Sequence, residues 1–124
     1  MAKILIVDDD ADLRTLFGLG FLRRGHSIVV AGDGAAALEC IVTHAPDLII
    51  TDITMPVMDG LELLRRLRAD GPPTLPVVVV SAHAEQRAAA IAADAFLVKP
   101  VALRQLVEVA EGLLAERQAA HVGA

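Results

Sequence analysis

The sequence predicts an α/β domain built on a five-stranded parallel β-sheet. Five short apolar segments alternate along the chain with five segments whose apolar residues recur at helical spacing. Two of the apolar segments, Ile4–Val7 and Val77–Val80, are continuously hydrophobic. Strands of a parallel sheet that helices cover on both faces have this character. Regular alternation of strand and helix further predicts parallel pairing with right-handed crossovers.

The strands are predicted in order along the chain, with no unassigned insert between them. They are Lys3–Val7, Ser27–Ala31, Asp47–Thr51, Pro76–Val80 and Ala95–Val98. The first helix is predicted from the spacing of Leu13, Phe17, Gly20 and Phe21. Asp10 or Asp12 can cap its start, and Gly25 stands where a glycine stop is expected.

Four further helices are predicted between and after the remaining strands. The second contains Ala35–Val42 and the third Leu61–Leu67, where Arg65, Arg66 and Arg68 are expected on a solvated face. A short alanine-rich fourth helix is predicted from about Ala84 to Ala93, and the fifth has an apolar stripe from Leu103 to Leu114. We expect residues 1–117 to form one domain and residues 118–124 to form a disordered C-terminal tail.

Composition excludes several classes of function. The chain has 124 residues and a net charge of −5, with three Phe and no Trp or Tyr, which argues against direct nucleic-acid binding. No apolar run approaches the roughly 20 residues needed to span a bilayer, so membrane insertion is not expected. A single cysteine, Cys40, excludes an internal disulfide and a CxxC site. We expect a cytoplasmic protein.

Polar residues follow four of the predicted strands. Asp8 and Asp9 follow the first, Asp52 the third, Ser81 the fourth and Lys99 the fifth. In an open parallel sheet, ligands bind at the carboxyl ends of the strands, where these side chains would converge. Clustered carboxylates repel one another unless a cation joins them, and Mg²⁺ is bound through one or two carboxylates plus water. An Asp beside Mg²⁺ and a Lys is a competent nucleophile toward phosphorus.

The arrangement resembles a response-regulator receiver domain of two-component signalling, from the first residue to about residue 117. The resemblance rests on five stretches in order: Ile4–Asp9, Pro46–Asp52, Met55-Pro56 with Asp59-Gly60, Ser81-Ala82, and Phe96–Pro100. It implies a flavodoxin-like sheet of strand order 2-1-3-4-5 with five helices on both faces. Met1 leading directly into the first strand favours a stand-alone receiver, or one at the start of a longer chain.

The resemblance assigns a phosphoacceptor and a metal site. Asp52 matches the residue that takes the phosphoryl group. Asp9 and Asp52 match direct Mg²⁺ ligands, together with the backbone carbonyl of Thr54, while Asp8 acts through metal-bound water. Mn²⁺ is expected to substitute for Mg²⁺.

The resemblance also assigns a phosphoryl-binding and switching set. Lys99 would pair with the phosphoryl group, and Ser81 would donate its hydroxyl to a phosphoryl oxygen. Phe96 matches the switch aromatic, which turns inward when the Ser81 loop moves. The Lys99–Pro100 peptide bond is expected to be cis.

The implied activity is that of a switch rather than of an enzyme. The phosphoryl donor would be a sensor histidine kinase or a histidine phosphotransfer protein, and the domain would dephosphorylate itself. A downstream protein target would bind the face formed by the fourth helix, fifth strand and fifth helix.

Three departures from the family pattern bear on this switch. Thr54 and His83 stand where side chains tune the lifetime of the phosphoryl group. Phe96 replaces the commoner Tyr. Ser81 and Lys99 are 18 positions apart, about four fewer than is usual in the family. Four residues are about one helical turn, so the fourth helix should be short or irregular.

Two other functions remain open from sequence. A phosphatase of the haloacid-dehalogenase type also uses an Asp nucleophile and Mg²⁺, but it needs a second Asp where this chain has Thr54. A pseudo-receiver that only binds partners would not need Asp9, Asp52, Ser81 and Lys99, all of which are present.

Overall fold

The five strands form one parallel sheet in the order β2-β1-β3-β4-β5. The computed structural model describes the backbone of residues 1–123 and the side chains of residues 1–120. The strands are β1 (Lys3–Val7), β2 (Ser27–Ala31), β3 (Leu48–Thr51), β4 (Val77–Ser81) and β5 (Ala95–Val98). Every predicted strand is confirmed to within one residue at either end.

Within the described part of the chain, four α-helices cover the two faces of the sheet, where five helices are predicted. They are α1 (Ala11–Leu22), α2 (Gly34–His44), α3 (Gly60–Asp70) and α4 (Leu103–Gly123). Asp10, Asp33 and Asp59 cap the first three, because the side chain of each accepts hydrogen bonds from backbone N–H groups of the first turn. Capping by Asp10 fixes where the chain turns away from β1, directly beside the carboxyl edge of the sheet.

The apolar side chains form two layers separated by the sheet. One layer lies under α1 and α4 and contains Ile4, Ile6, Phe17, Phe21 and Leu106. The other lies under α2 and α3 and contains Leu5, Val7, Leu63, Leu67 and Ala90. Because successive residues of a strand point to opposite faces, the continuous apolar runs of β1 and β4 supply both layers.

The fourth helix is shortened, as predicted, but the predicted helix from about Ala84 to Ala93 is wrong, because most of this segment is not helical. Only Ala84–Arg87 is helical, as one turn of 3₁₀ helix, and residues 88–94 are turns and bends. We call Ala84–Arg87 the 3₁₀ turn. Isolated helices of this length are marginal even when rich in alanine, and here Ala90 is the single buried residue between Ala82 and Asp94. Among the residues that the structure describes there are therefore four α-helices and not five.

The last helix is longer than the sequence indicates. α4 continues to Gly123, so residues 118–123 are helical where a disordered tail is predicted, and residue 124 lies outside the described residues. Arg117, near the end of the predicted domain, donates from Nη1 to the carbonyl oxygen of Asp47 at 2.9 Å. Within the described part of the chain, no helix is both long and apolar enough to cross a membrane.

Candidate functional site at the carboxyl edge of the sheet

Asp8 and Asp52 lie side by side because the sheet continues for one residue past β1 and β3. The Asp8 N–H donates to the Ala31 carbonyl at 3.1 Å, and the Asp52 N–H donates to the Val7 carbonyl at 3.0 Å. Gly60 packs against this edge so closely that a Cβ there would overlap the Asp52 carbonyl oxygen. The backbone therefore fixes where both carboxylates stand.

Three carboxylates form a cluster at this edge. One carboxylate oxygen from each of Asp8, Asp9 and Asp52 lies within 4.8 Å of the other two. Asp8 is buried, Asp52 is partly buried and Asp9 is exposed, so the cluster opens to solvent on the Asp9 side. Hard oxygen donors with room for water are the ligand set that Mg²⁺ prefers, so the residues present fit that ion.

The positively charged ammonium group of Lys99 contacts two of the three carboxylates. Its Nζ lies 2.9 Å from Asp52 Oδ2 and 3.1 Å from Asp8 Oδ2. Burial alone would lower the pKa of the Lys99 ammonium, but its hydrogen bonds to Asp52 and Asp8 and their charges outweigh burial and raise it. Lys99 therefore stays protonated, with its charge held at the cluster.

Asp8 is the buried carboxylate of the cluster. Burial raises the pKa of its carboxyl above the ordinary value, and the Asp10 N–H and Lys99 offset this only in part. The Asp10 N–H donates to Asp8 Oδ1 at 2.9 Å, and Arg14 Nη1 donates to the Asp8 carbonyl at 2.6 Å. The side chain is thus held in place while its ionised form is disfavoured.

Ser81 ends β4 with its hydroxyl already engaged. The hydroxyl donates to Gln86 Oε1 at 2.9 Å and accepts from the His83 N–H at 3.1 Å. The Lys99 N–H donates to the Ser81 carbonyl at 2.8 Å, which joins the ends of β4 and β5. Ser81 is 1% exposed, so this hydrogen bonding takes place away from water.

Phe96 lies on β5 opposite Val79 and packs against the core layer under α2 and α3. The guanidinium carbon of Arg87 lies 4.9 Å from the centroid of its ring, a cation–π arrangement. The Lys99–Pro100 peptide bond, three residues later, is cis.

The structure brings most of the residues singled out from sequence to one edge. Asp8, Asp9, Asp52 and Lys99 make one cluster, and Ser81 is joined to Lys99 through the backbone. Thr54 and His83 are exposed beside it, with His83 Nδ1 3.4 Å from Glu85 Oε1. The lifetime roles of Thr54 and His83 stay predictions.

Sequence reasoning missed Arg14, Gln86 and Arg87. Arg14 lies in α1, and the apolar spacing that predicts this helix gives no indication that the Arg14 side chain reaches back to the Asp8 carbonyl. Gln86 and Arg87 lie in the segment predicted as a short or irregular fourth helix, and the sequence does not show which neighbours their side chains contact. No motif in the sequence marks them.

Comparisons with known proteins agree with this geometry. The family model of the response regulator receiver domain matches residues 4–111. Response regulator MprA of Mycobacterium sp. (strain KMS) is 38% identical over 116 residues, which are 90% of this chain and 50% of that protein. MprA of Mycobacterium avium gives the same identity and coverage. The chain spans about half the length of these curated relatives.

Solved structures with the same fold include two single receiver domains. A CheY-like response regulator receiver domain protein from Methanospirillum hungatei superposes with a TM-score of 0.89 at 29% identity, covering 95% of this chain and 97% of that one. The response regulator TrrA from Thermotoga maritima, crystallised with Mg²⁺ and BeF, gives a TM-score of 0.85 at 30% identity, covering 91% and 99%.

Proposed function

Because the chain belongs to the response-regulator receiver domain family, we propose that Asp52 accepts a phosphoryl group from a phosphohistidine in a Mg²⁺-dependent reaction. The donor is a sensor histidine kinase or a histidine phosphotransfer protein. The observation that carries this proposal is the contact of Lys99 with both Asp52 and Asp8 inside a cluster of three carboxylates.

Each residue of the cluster has a part in the transfer. A carboxylate oxygen of Asp52 forms a bond to phosphorus as the phosphorus–nitrogen bond of the donor breaks, and the nitrogen keeps the electron pair and takes up a proton. Lys99 compensates the negative charge of the phosphoryl group on Asp52. Asp9, Asp52 and the Thr54 carbonyl would hold Mg²⁺ directly, and Asp8 would hold it through water. The ion would supply electrostatic stabilisation to the phosphoryl oxygens.

The signal would leave through the face that contains the 3₁₀ turn, β5 and α4. Ser81 and Phe96 both border that face, because Ser81 ends β4 beside β5 and Phe96 lies on β5. The Ser81 carbonyl accepts from the N–H of Lys99, whose side chain is part of the cluster. A downstream protein would bind this face in either the phosphorylated or the unphosphorylated state of the domain, but not in both.

Labelling with a small phosphodonor tests the proposal. Purified chain is incubated with acetyl phosphate and Mg²⁺, and its intact mass is measured. We expect one added phosphoryl group in the parent and in Asp70→Asn, a control at an exposed Asp on α3, and none in Asp52→Asn. Equal labelling of Asp52→Asn would contradict the proposal, and no labelling of any form would favour a receiver that acts without phosphorylation.

A further inference from the structure

Two adjacent residues of the 3₁₀ turn contact the two side chains assigned to the switch, Ser81 and Phe96. Gln86 accepts the Ser81 hydroxyl, and Arg87 covers the ring of Phe96. We propose that Gln86 and Arg87 act as positioning residues that hold the unphosphorylated state, Gln86 by competing with the phosphoryl group for the Ser81 hydroxyl proton. The inference rests on the proposed function of Asp52.

The competition follows from the chemistry of a hydroxyl. A serine hydroxyl has one hydrogen to donate and can accept at its lone pairs. The hydrogen of Ser81 is given to Gln86 Oε1 at 2.9 Å, while the His83 N–H occupies one lone pair. Before Ser81 can donate to a phosphoryl oxygen, this bond to Gln86 must break, so Gln86 stabilises the state without phosphate.

Arg87 extends the same restraint to Phe96. Its guanidinium lies over the ring, and its Nη1 also approaches the Phe96 carbonyl at 3.4 Å. Arg87 is exposed, so the contact depends on the position of the 3₁₀ turn and not on enclosure by the core. Movement of Phe96 away from its present site would require this stacking to be lost.

The two contacts are coupled because they come from adjacent residues of a single turn. The Gln86 N–H donates to the His83 carbonyl at 3.0 Å, and the Ala90 N–H lies 3.2 Å from both the Gln86 and Arg87 carbonyls. A shift of the backbone at Gln86 would carry Arg87 with it, because the two residues are adjacent in the same turn. Release of Ser81 should therefore loosen the hold of Arg87 on Phe96.

Affinity for a phosphate mimic tests the competition. Beryllofluoride with Mg²⁺ is titrated into the parent, Gln86→Met and Gln118→Leu, the last an exposed glutamine on α4. Gln86→Met keeps the length of the side chain but removes the amide oxygen. A lost hydrogen bond of ordinary strength predicts about fivefold tighter binding of the mimic to Gln86→Met and no change in Gln118→Leu.

A double-mutant cycle separates competition from general loosening. In a Ser81→Ala background there is no hydroxyl to compete for, so Gln86→Met should leave the affinity for the mimic unchanged. An equal gain in both backgrounds would overturn the inference. So would equal affinity of Gln86→Met and the parent.

The coupling to Phe96 is read out by ¹⁹F NMR on protein labelled with fluorophenylalanine. Only Phe17, Phe21 and Phe96 carry the label, and Phe17 and Phe21 are buried in α1 as internal controls. In Gln86→Met without mimic, the Phe96 resonance should move toward its mimic-bound position while the other two stay. An unmoved Phe96 resonance would overturn the coupling. Absence of mimic binding and of Asp52 labelling in the parent would instead overturn the proposed function, and the inference with it.

Discussion

The Lys99 ammonium lies 2.9 Å from the Asp52 carboxylate although the two residues are 47 positions apart in the chain. The contact exists because β3 and β5 flank β4 and both end at the same edge of the sheet. It places a permanent positive charge on the proposed phosphoacceptor before any metal or phosphoryl group arrives. A negatively charged phosphoryl group on Asp52 would therefore meet a positive charge that is already in position.

Replacing Asp8 by Asn should stabilise the metal-free chain. Burial raises the pKa of Asp8, so its ionised form costs folding free energy at neutral pH, and Asn keeps an oxygen that can accept from the Asp10 N–H. We expect the melting temperature at pH 7 to rise by a few degrees without Mg²⁺. Melting by calorimetry checks this, with Asp70→Asn as the exposed control.

In Mg²⁺ the parent should melt at a higher temperature than Asp8→Asn, which is the reverse of the order expected without the ion. At a concentration ten times its Kd, a ligand that binds only the folded chain stabilises it by about 1.4 kcal/mol. The parent should gain this stabilisation and Asp8→Asn should gain less. A melting temperature of the parent that is the same in Mg²⁺ and in matched sodium salt would refute a metal site at this cluster.

Val57 should be replaceable by Gly with a gain in stability. It has a φ of 67° in the loop between β3 and α3, where a β-branched side chain is strained, and it is 85% exposed. We expect Val57→Gly to raise the free energy of unfolding by about 1 kcal/mol in urea denaturation. Val42→Gly, at an exposed position within α2, should lower it because glycine is a poor helix former. Destabilisation by both changes would show that Val57 is not strained.

Arg68 should hold the irregular segment that precedes β5. It donates to the carbonyls of Leu75 and Ala92 and pairs with Asp94, whose carboxylate also accepts from the Val77 N–H. Arg68→Ala should lower stability by about 2 kcal/mol and speed amide exchange over residues 88–94. Arg66→Ala, which loses only an exposed pair with Glu62, is the matched control. Identical exchange in the two variants would contradict this role.

Glu111 should make stability depend on pH in a defined window. Hydrogen bonds from Arg24 and His26 lower its pKa in the folded chain. The ionised form therefore stabilises the fold above the unfolded pKa of about 4.3, and the contribution is lost as pH falls through the folded value. Glu111→Gln should be less stable than the parent above about pH 5, with the difference shrinking in acid. Glu108→Gln, whose partner Arg104 is 91% exposed, should show little effect.

The fold was predictable because its signals are local. Continuous apolar runs mark β1 and β4, and Asp10 caps the start of α1, as the sequence indicates. The site was predictable for a related reason, since parallel strands bring the residues that follow them to one edge. The strand assignments and this rule were enough to predict that Asp8, Asp52 and Lys99 lie close together.

Side chains that reach across loops were not predictable in the same way. Arg68 was expected on a solvated face, because helical spacing does not reveal the acceptors at Ala92 and Asp94, 24 and 26 residues later. Gln86 and Arg87 depend on the shape of a single 3₁₀ turn. Alanine-rich composition and the short spacing from Ser81 to Lys99 predict a short or irregular helix there, but neither indicates a single 3₁₀ turn.

The site of phosphorylation tests the central claim most directly. The parent is treated with acetyl phosphate, with and without Mg²⁺, digested, and mapped by tandem mass spectrometry, with hydroxylamine used to identify acyl phosphate. We predict that all modification lies on Asp52, requires Mg²⁺ and is removed by hydroxylamine. A modification that resists hydroxylamine and maps to Ser81 or His83, or one that forms equally without Mg²⁺, would contradict the account.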